Sequence, residues 1–124
     1  MALHLDLGRK GESLAKTFLE SLGYEILDEN WTHGKAEIDL IVYKDKVIIF
    51  TEVKTRTGNA FGEPEDFVDN RKQKLLVEAA DEYIYLMDHQ GEGRFDIVSI
   101  LFDKNANYTL KHIEDAFWPS SNSL

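Results

Sequence analysis

With 124 residues, 43% hydrophobic and 30% charged, the chain has the size and composition of one ordinary folded domain, able to bury roughly two-thirds of its unfolded surface. It has no cysteine, which excludes disulfides, thiolate metal sites and cysteine nucleophiles and leaves oxygen or imidazole to hold any metal. A net charge of -9 argues against a protein that coats nucleic acid through surplus Lys and Arg, yet residues 44–74 hold seven Lys and Arg against six Asp and Glu, leaving seven against seventeen elsewhere.

No apolar run approaches the length of a membrane span. The N-terminus, MALHLDLGRKGE, lacks the cationic start and long apolar stretch of a secretory signal, so a cytoplasmic location without membrane contact is expected. No repeat, low-complexity tract or Pro- or Gly-rich linker divides the chain. Residues 1–118 are therefore expected to form one domain, and residues 119–124 a flexible C-terminal tail.

The first periodic segment, Leu7 to Leu22, sets Leu14, Ala15, Phe18, Leu19 and Leu22 at helical spacing and ends at Gly23. Three β-rich stretches follow: Tyr24 to Asn30, Glu37 to Tyr43 and Val47 to Thr55. The short turn Lys44-Asp45-Lys46 makes the last two a hairpin. A second helix is predicted from Asn70, as N-cap, to Met87, with Leu75, Leu76, Ala79, Ala80, Tyr83 and Ile84 as its buried stripe. After Gly91 and Gly93 come strands at Arg94 to Phe102 and Tyr108 to Ile113, then a helical turn around Asp115 to Trp118. The order is α-β-β-β-α-β-β, an α/β domain.

Strand alternation puts Glu37, Asp39, Ile41 and Tyr43 on one face, with Ile38, Leu40 and Val42 on the other. In the partner strand Ile48, Phe50, Glu52 and Lys54 share a face. Closing the hairpin with Lys44 opposite Val47 sets Asp39 across from Glu52 at a Cβ separation of roughly 5 Å. Like charges so placed destabilise a sheet unless something cationic lies beside them, and a divalent metal together with Lys54 meets that need. Mg²⁺ and Mn²⁺ favour such oxygen ligands and can activate water against a phosphodiester. The same Glu-x-Lys string also fits an ordinary surface hairpin whose charges pair in solvent.

Glu12 flanks the apolar stripe of the first helix, as a further acidic ligand or as a carboxylate that stabilises the first helical turn. Lys72 falls on the inward stripe with Leu76, Ala79 and Tyr83, where it either meets the site carboxylates or a phosphate, or snorkels outward. Gln73 borders that face, and Arg56 and Arg71 are candidate phosphate contacts. The segment Thr57 to Glu65 is either a loop that covers the site or a plain connector. His4, His33, His89 and His112 show no ligand spacing.

Five motifs carry a resemblance: Gly8 to Glu12 opening a helix, Gly23-Tyr24 after it, Glu37-Ile38-Asp39-Leu40-Ile41, Glu52-Val53-Lys54-Thr55-Arg56, and Arg71-Lys72-Gln73-Lys74-Leu75. With Phe95 to Val98 and His112 to Phe117, they make the chain similar, from about residue 8 to 118, to the YraN-like family. That family is regarded as related to the PD-(D/E)XK nucleases and archaeal-type Holliday junction resolvases. The resemblance implies a restriction-endonuclease-like domain, a mixed β-sheet flanked by helices. It implies Asp39 and Glu52 as metal ligands for Mg or Mn, Lys54 as catalytic lysine, Glu12 as the acidic residue of the first helix, and Lys72 and Gln73 as the contribution of the second. Ile38 replaces the proline of the superfamily name, Ala36 stands where the family tends to have glycine, and Thr32 where it tends to have arginine.

The expected function is a metal-dependent endonuclease on DNA, branched or damaged DNA among its substrates, and the resolvase likeness keeps a homodimer in view. Two other readings stay open: a nucleic-acid-binding or processing factor of the same fold that cuts little, and an acidic protein-interaction module.

Overall fold

Two periodicities alternate along the chain, and each segregates its apolar residues onto the faces of one sheet. The computed structural model describes residues 2–58 and 69–117, with side chains from residue 7 onward. The elements are α1 (Ala2–Ser21), β1 (Glu25–His33), β2 (Ala36–Lys44), β3 (Val47–Thr57), α2 (Asn70–Leu86), β4 (Glu92–Phe102) and β5 (Tyr108–Phe117). Their order is the one expected from the sequence.

The five strands lie in the order β1-β2-β3-β4-β5. β1, β2 and β3 are antiparallel neighbours, β3 and β4 run parallel, and β5 returns antiparallel to β4. The parallel pair requires a long crossover, and α2 lies within it. The result is a single α/β domain with a mixed sheet. On one face Ala15 and Leu19 of α1 pack on Leu40, Val42, Ile49 and Val98. On the other, Leu76, Ala79, Ala80 and Tyr83 of α2 pack on Ile41, Phe50 and Phe95. The middle strands are covered on both sides, hence their nearly continuous apolar runs.

α1 begins five residues earlier than predicted. It stops where expected, because Gly23 (φ 93°) supplies the left-handed residue of a C-terminal cap in which Tyr24 N–H donates to Leu19 O and Gly23 N–H to Glu20 O. Leu22, placed on the stripe from sequence, is instead 43% exposed, because the helix has already ended. The N-cap of α2 is Asp69 rather than Asn70: the Asp69 carboxylate accepts the Lys72 N–H at 2.9 Å.

Two further expectations are corrected. β2 does not alternate simply, since Ile38 and Ile41 both enter the α2-side core while Leu40 and Val42 enter the other. The slip falls at Asp39, opposite Asn30 of β1, whose backbone is left-handed (φ 52°). The predicted helical turn at residues 115–118 is strand through Phe117, with Trp118 outside the described residues. Phe117 pairs with Phe95 and stacks on its ring at 4.6 Å, which outweighs any helical tendency.

That extension leaves Glu114, Asp115 and Ala116 facing Asp96 alone, and Asp96 fills the bulge. Fully buried, it accepts the Asp115 N–H, two hydrogen bonds from Arg94 and one with His112 Nε2. Arg94 also donates to Tyr24 Oη. No spacing rule links these residues in the sequence. The tail, residues 119–124, lies outside the described residues.

Candidate functional site

The hairpin closes as predicted, Lys44 opposite Val47, with Asp45 and Lys46 both at positive φ. Pairing continues to Leu40 opposite Thr51 and stops there, one step short of Asp39 and Glu52. Beyond that point Asp39 Oδ2 accepts the Val53 N–H at 2.8 Å, so a side chain takes up a main-chain donor where the strands part. Glu52, on the face of β3 that carries Ile48 and Phe50, is 2% exposed. Its Oε2 lies 3.1 Å from Lys72 Nζ. Lys54 follows on that face, half-buried and in hydrogen-bonding contact with Lys72.

These positions set the electrostatics. Burial and the Glu52 charge push the Asp39 carboxyl up to about 7, against the lowering effect of the Val53 N–H, and the two carboxyl groups are within hydrogen-bonding reach of each other. Burial and the neighbouring Lys72 ammonium lower Lys54 below the usual lysine range, although Glu52 opposes them. Burial would lower Lys72 as well, but its charge and hydrogen-bond contacts with Glu52 outweigh it and the net direction is up. Two carboxylates and two lysines thus share one desolvated corner of the sheet.

Glu12 reaches this corner because α1 lies close over β3. At Gly11 an added Cβ would collide with the Thr55 hydroxyl, so only glycine permits the approach. Glu12 is raised by burial and then by Asp39, Glu37 and Glu29. Acidic side chains of β1 and β2 thus lie near enough to Glu12 of α1 for their charges to act on it. Among the described residues no three His, Asp or Glu side chains are gathered closely enough to hold a metal together. The facing pair Asp39 and Glu52 nonetheless has the chemistry a hard divalent cation requires: anionic oxygens, mutually repelled, with Asp39 partly and Glu52 almost wholly removed from water.

Gln73 and the exposed Arg71 share the first turn of α2 with Lys72, and Arg56 is exposed two residues beyond Lys54 on the same face of β3. The three departures from the family pattern fall beside the parting strands. Ile38 is fully buried and pairs with Trp31, Ala36 is buried opposite His33, and Thr32 is exposed opposite Glu37. Of the predicted covering segment only Thr57 and Gly58 lie within the described residues, and Gly58 N–H donates to Phe102 O.

The uncharacterised protein family UPF0102 matches residues 11–100, a span that contains every candidate residue above. The chain belongs to this family. UPF0102 is the YraN-like group to which the motifs pointed. A UPF0102 protein of Flavobacterium psychrophilum is 46% identical over 95% of this chain and 98% of its own. One from Bacteroides thetaiotaomicron is 40% identical over 96% and 98%, and one from Chlorobium chlorochromatii is 37% identical over 91% and 92%. Among the described residues no helix is long and apolar enough to cross a membrane.

Proposed function

We propose that this UPF0102 chain is a divalent-metal-dependent nuclease that hydrolyses phosphodiester bonds in DNA. The observation that carries this reading is the meeting of the Asp39 and Glu52 carboxyl groups where β2 and β3 part, with Lys54 on the same face as Glu52. Asp39 and Glu52 would hold Mg²⁺ or Mn²⁺, with Glu12 as the further acidic group. Such an ion supplies Lewis-acid stabilisation of phosphoryl oxygens and lowers the pKa of water.

The residues of the chain would divide the remaining work. Lys54, half-buried, donates to a non-bridging phosphoryl oxygen or holds the attacking water in line. Its lowered pKa follows from the same desolvation that strengthens its field. Lys72 pairs with the buried Glu52 and holds its side chain in place while Lys54 serves the substrate. Arg56 and Arg71, both exposed, would meet flanking phosphates.

Incubation with linear duplex, single-stranded and four-way-junction DNA in Mn²⁺ or Mg²⁺ tests the proposal. Cleavage is expected, and it should fall at least 100-fold in Asp39→Ala and Glu52→Ala, about the loss that follows removal of a comparable charge-stabilising group. Activity that survives either substitution overturns the assignment. The overall charge of -9 favours one second reading, a nucleic-acid-binding factor of the same fold that does not cut, which would show salt-sensitive binding with no turnover.

A further inference from the structure

α2 covers the sheet face of Ile48, Phe50 and Phe95 and ends, at its N-terminus, over Glu52. The same face continues past it. Lys54 of β3 is paired with Ser99 of β4, and Ser99 with Lys111 of β5, so the three stand in one row across the sheet. Their neighbours establish the side on which they lie. Val53, Val98, Ile100 and Leu110 belong to the α1-side core, and His112 meets Phe18 of α1, so the alternate residues Lys54, Ser99 and Lys111 point to the other side.

Ser99 marks this row. It is fully buried, and among the described residues its Oγ has no hydrogen-bond partner, a costly condition for a hydroxyl. Strands in a sheet lie about 4.8 Å apart, which sets the α-carbons of Lys54 and Lys111 about 10 Å apart on either side of it. Two lysine side chains can converge from those positions on one anion above the hydroxyl. Lys72 repels the Lys54 ammonium, and an anion would relieve that repulsion.

We propose that Lys54, Ser99 and Lys111 form a subsite for a backbone phosphate of the nucleic-acid substrate, one position removed from the bond held at Asp39 and Glu52. The strand then leaves the site across β4 and β5. The subsite rests on the function proposed above, and it explains how a chain of charge -9 binds a polyanion: through a local cationic row rather than through its surface at large.

Anisotropy titrations of a labelled single-stranded oligonucleotide in EDTA, over a range of salt concentrations, read binding without cleavage. Lys111→Met is expected to reduce the slope of log affinity against log salt by about 0.7, the share of one phosphate contact. Ser99→Ala should weaken binding about five-fold and leave that slope unchanged. Lys46→Met, an equal loss of charge in the β2–β3 turn, should change neither. Lys111→Met with wild-type slope and affinity, or Lys46→Met with an equal effect, overturns the subsite, as does an absence of binding at low salt. The two proposals separate cleanly. Carboxylate-dependent cleavage with an unchanged Lys111→Met slope removes the subsite alone. A reduced slope without cleavage of any substrate removes the nuclease and leaves the phosphate contact standing.

Discussion

Asp39 works against the fold at the pH where it would be useful. Its pKa rises from an ordinary 3.8 to about 7, through burial and the facing Glu52. The folded chain therefore holds the proton more tightly than the unfolded chain. The stability this contributes is fully present below about pH 4 and is lost as pH rises through about 7. Asp39→Asn removes the charge and retains an oxygen for the Val53 N–H. In urea unfolding at pH 8 it should exceed wild type by roughly 1–3 kcal/mol, and the advantage should vanish near pH 4. A variant less stable than wild type at pH 8 would show that the charge is already compensated in the metal-free protein. Of the proposed site residues, Asp39 is thus one that the metal-free fold would readily give up.

At the scale of elements, the approach of α1 to β3 depends on one missing methyl group. Gly11→Ala would drive a Cβ into the Thr55 side chain. Overpacking of this kind costs roughly 1–3 kcal/mol. The companion substitution Thr55→Ala should restore most of it, and a double-mutant cycle by thermal or urea unfolding should show a coupling above about 1 kcal/mol. Additive effects would mean that α1 shifts freely and that the position of Glu12 is not set at Gly11.

The elements also differ in how legible they were. The hairpin register followed from a two-residue turn, and the inward aim of Lys72 from helical spacing, because both are local rules. The reversal at Asn30 and Asp39 has no glycine or proline to mark it, and the bulge at Asp96 depends on the distant pairings of Phe95 with Phe117 and Ile97 with Ile113. Ser99 was hidden for another reason. It sits in the apolar run Phe95 to Phe102, where Asp96 is the only other polar residue, and those two interruptions were the available signal. The N-cap lies one residue before the one the sequence suggests, since Asp69 and Asn70 are both suited to capping and it is Asp69 that turns its side chain to the Lys72 N–H.

For the whole molecule, Asp96 is the tie between distant parts. It joins β4 to β5 through His112 and the Asp115 N–H, and through Arg94 it reaches Tyr24, between α1 and β1. Burial alone would raise its pKa, but hydrogen bonds from His112, Arg94 and Asp115 together hold it below the ordinary carboxylate value. Its sign is therefore opposite to that of Asp39: the contribution is present above the unfolded pKa and is lost as pH falls through the folded one. Asp96→Ala would leave Arg94 with the more distant Glu114 carboxylate, at 3.8 Å, and the Asp115 N–H without its acceptor, and should cost roughly 1–3 kcal/mol in urea unfolding at pH 7. A cost below about 1 kcal/mol would mean that the cluster is solvated and decorative.

The bulge that Asp96 fills has a counterpart across the sheet. β1 and β5 are the two outer strands, and each is interrupted: β1 between Ile26 and Asp28 and again at the left-handed Asn30, β5 at the left-handed Asp115. An unbroken outer strand offers a row of main-chain donors and acceptors to any other extended chain, and bulges and charge are among the means by which proteins withhold that offer. Here both borders are bent, with Glu25, Asp28 and Glu29 along one and Lys111 and Glu114 along the other. Growth of the sheet from copy to copy, the route to fibrous aggregates, is thus discouraged at each side by the same irregularities that shape the interior.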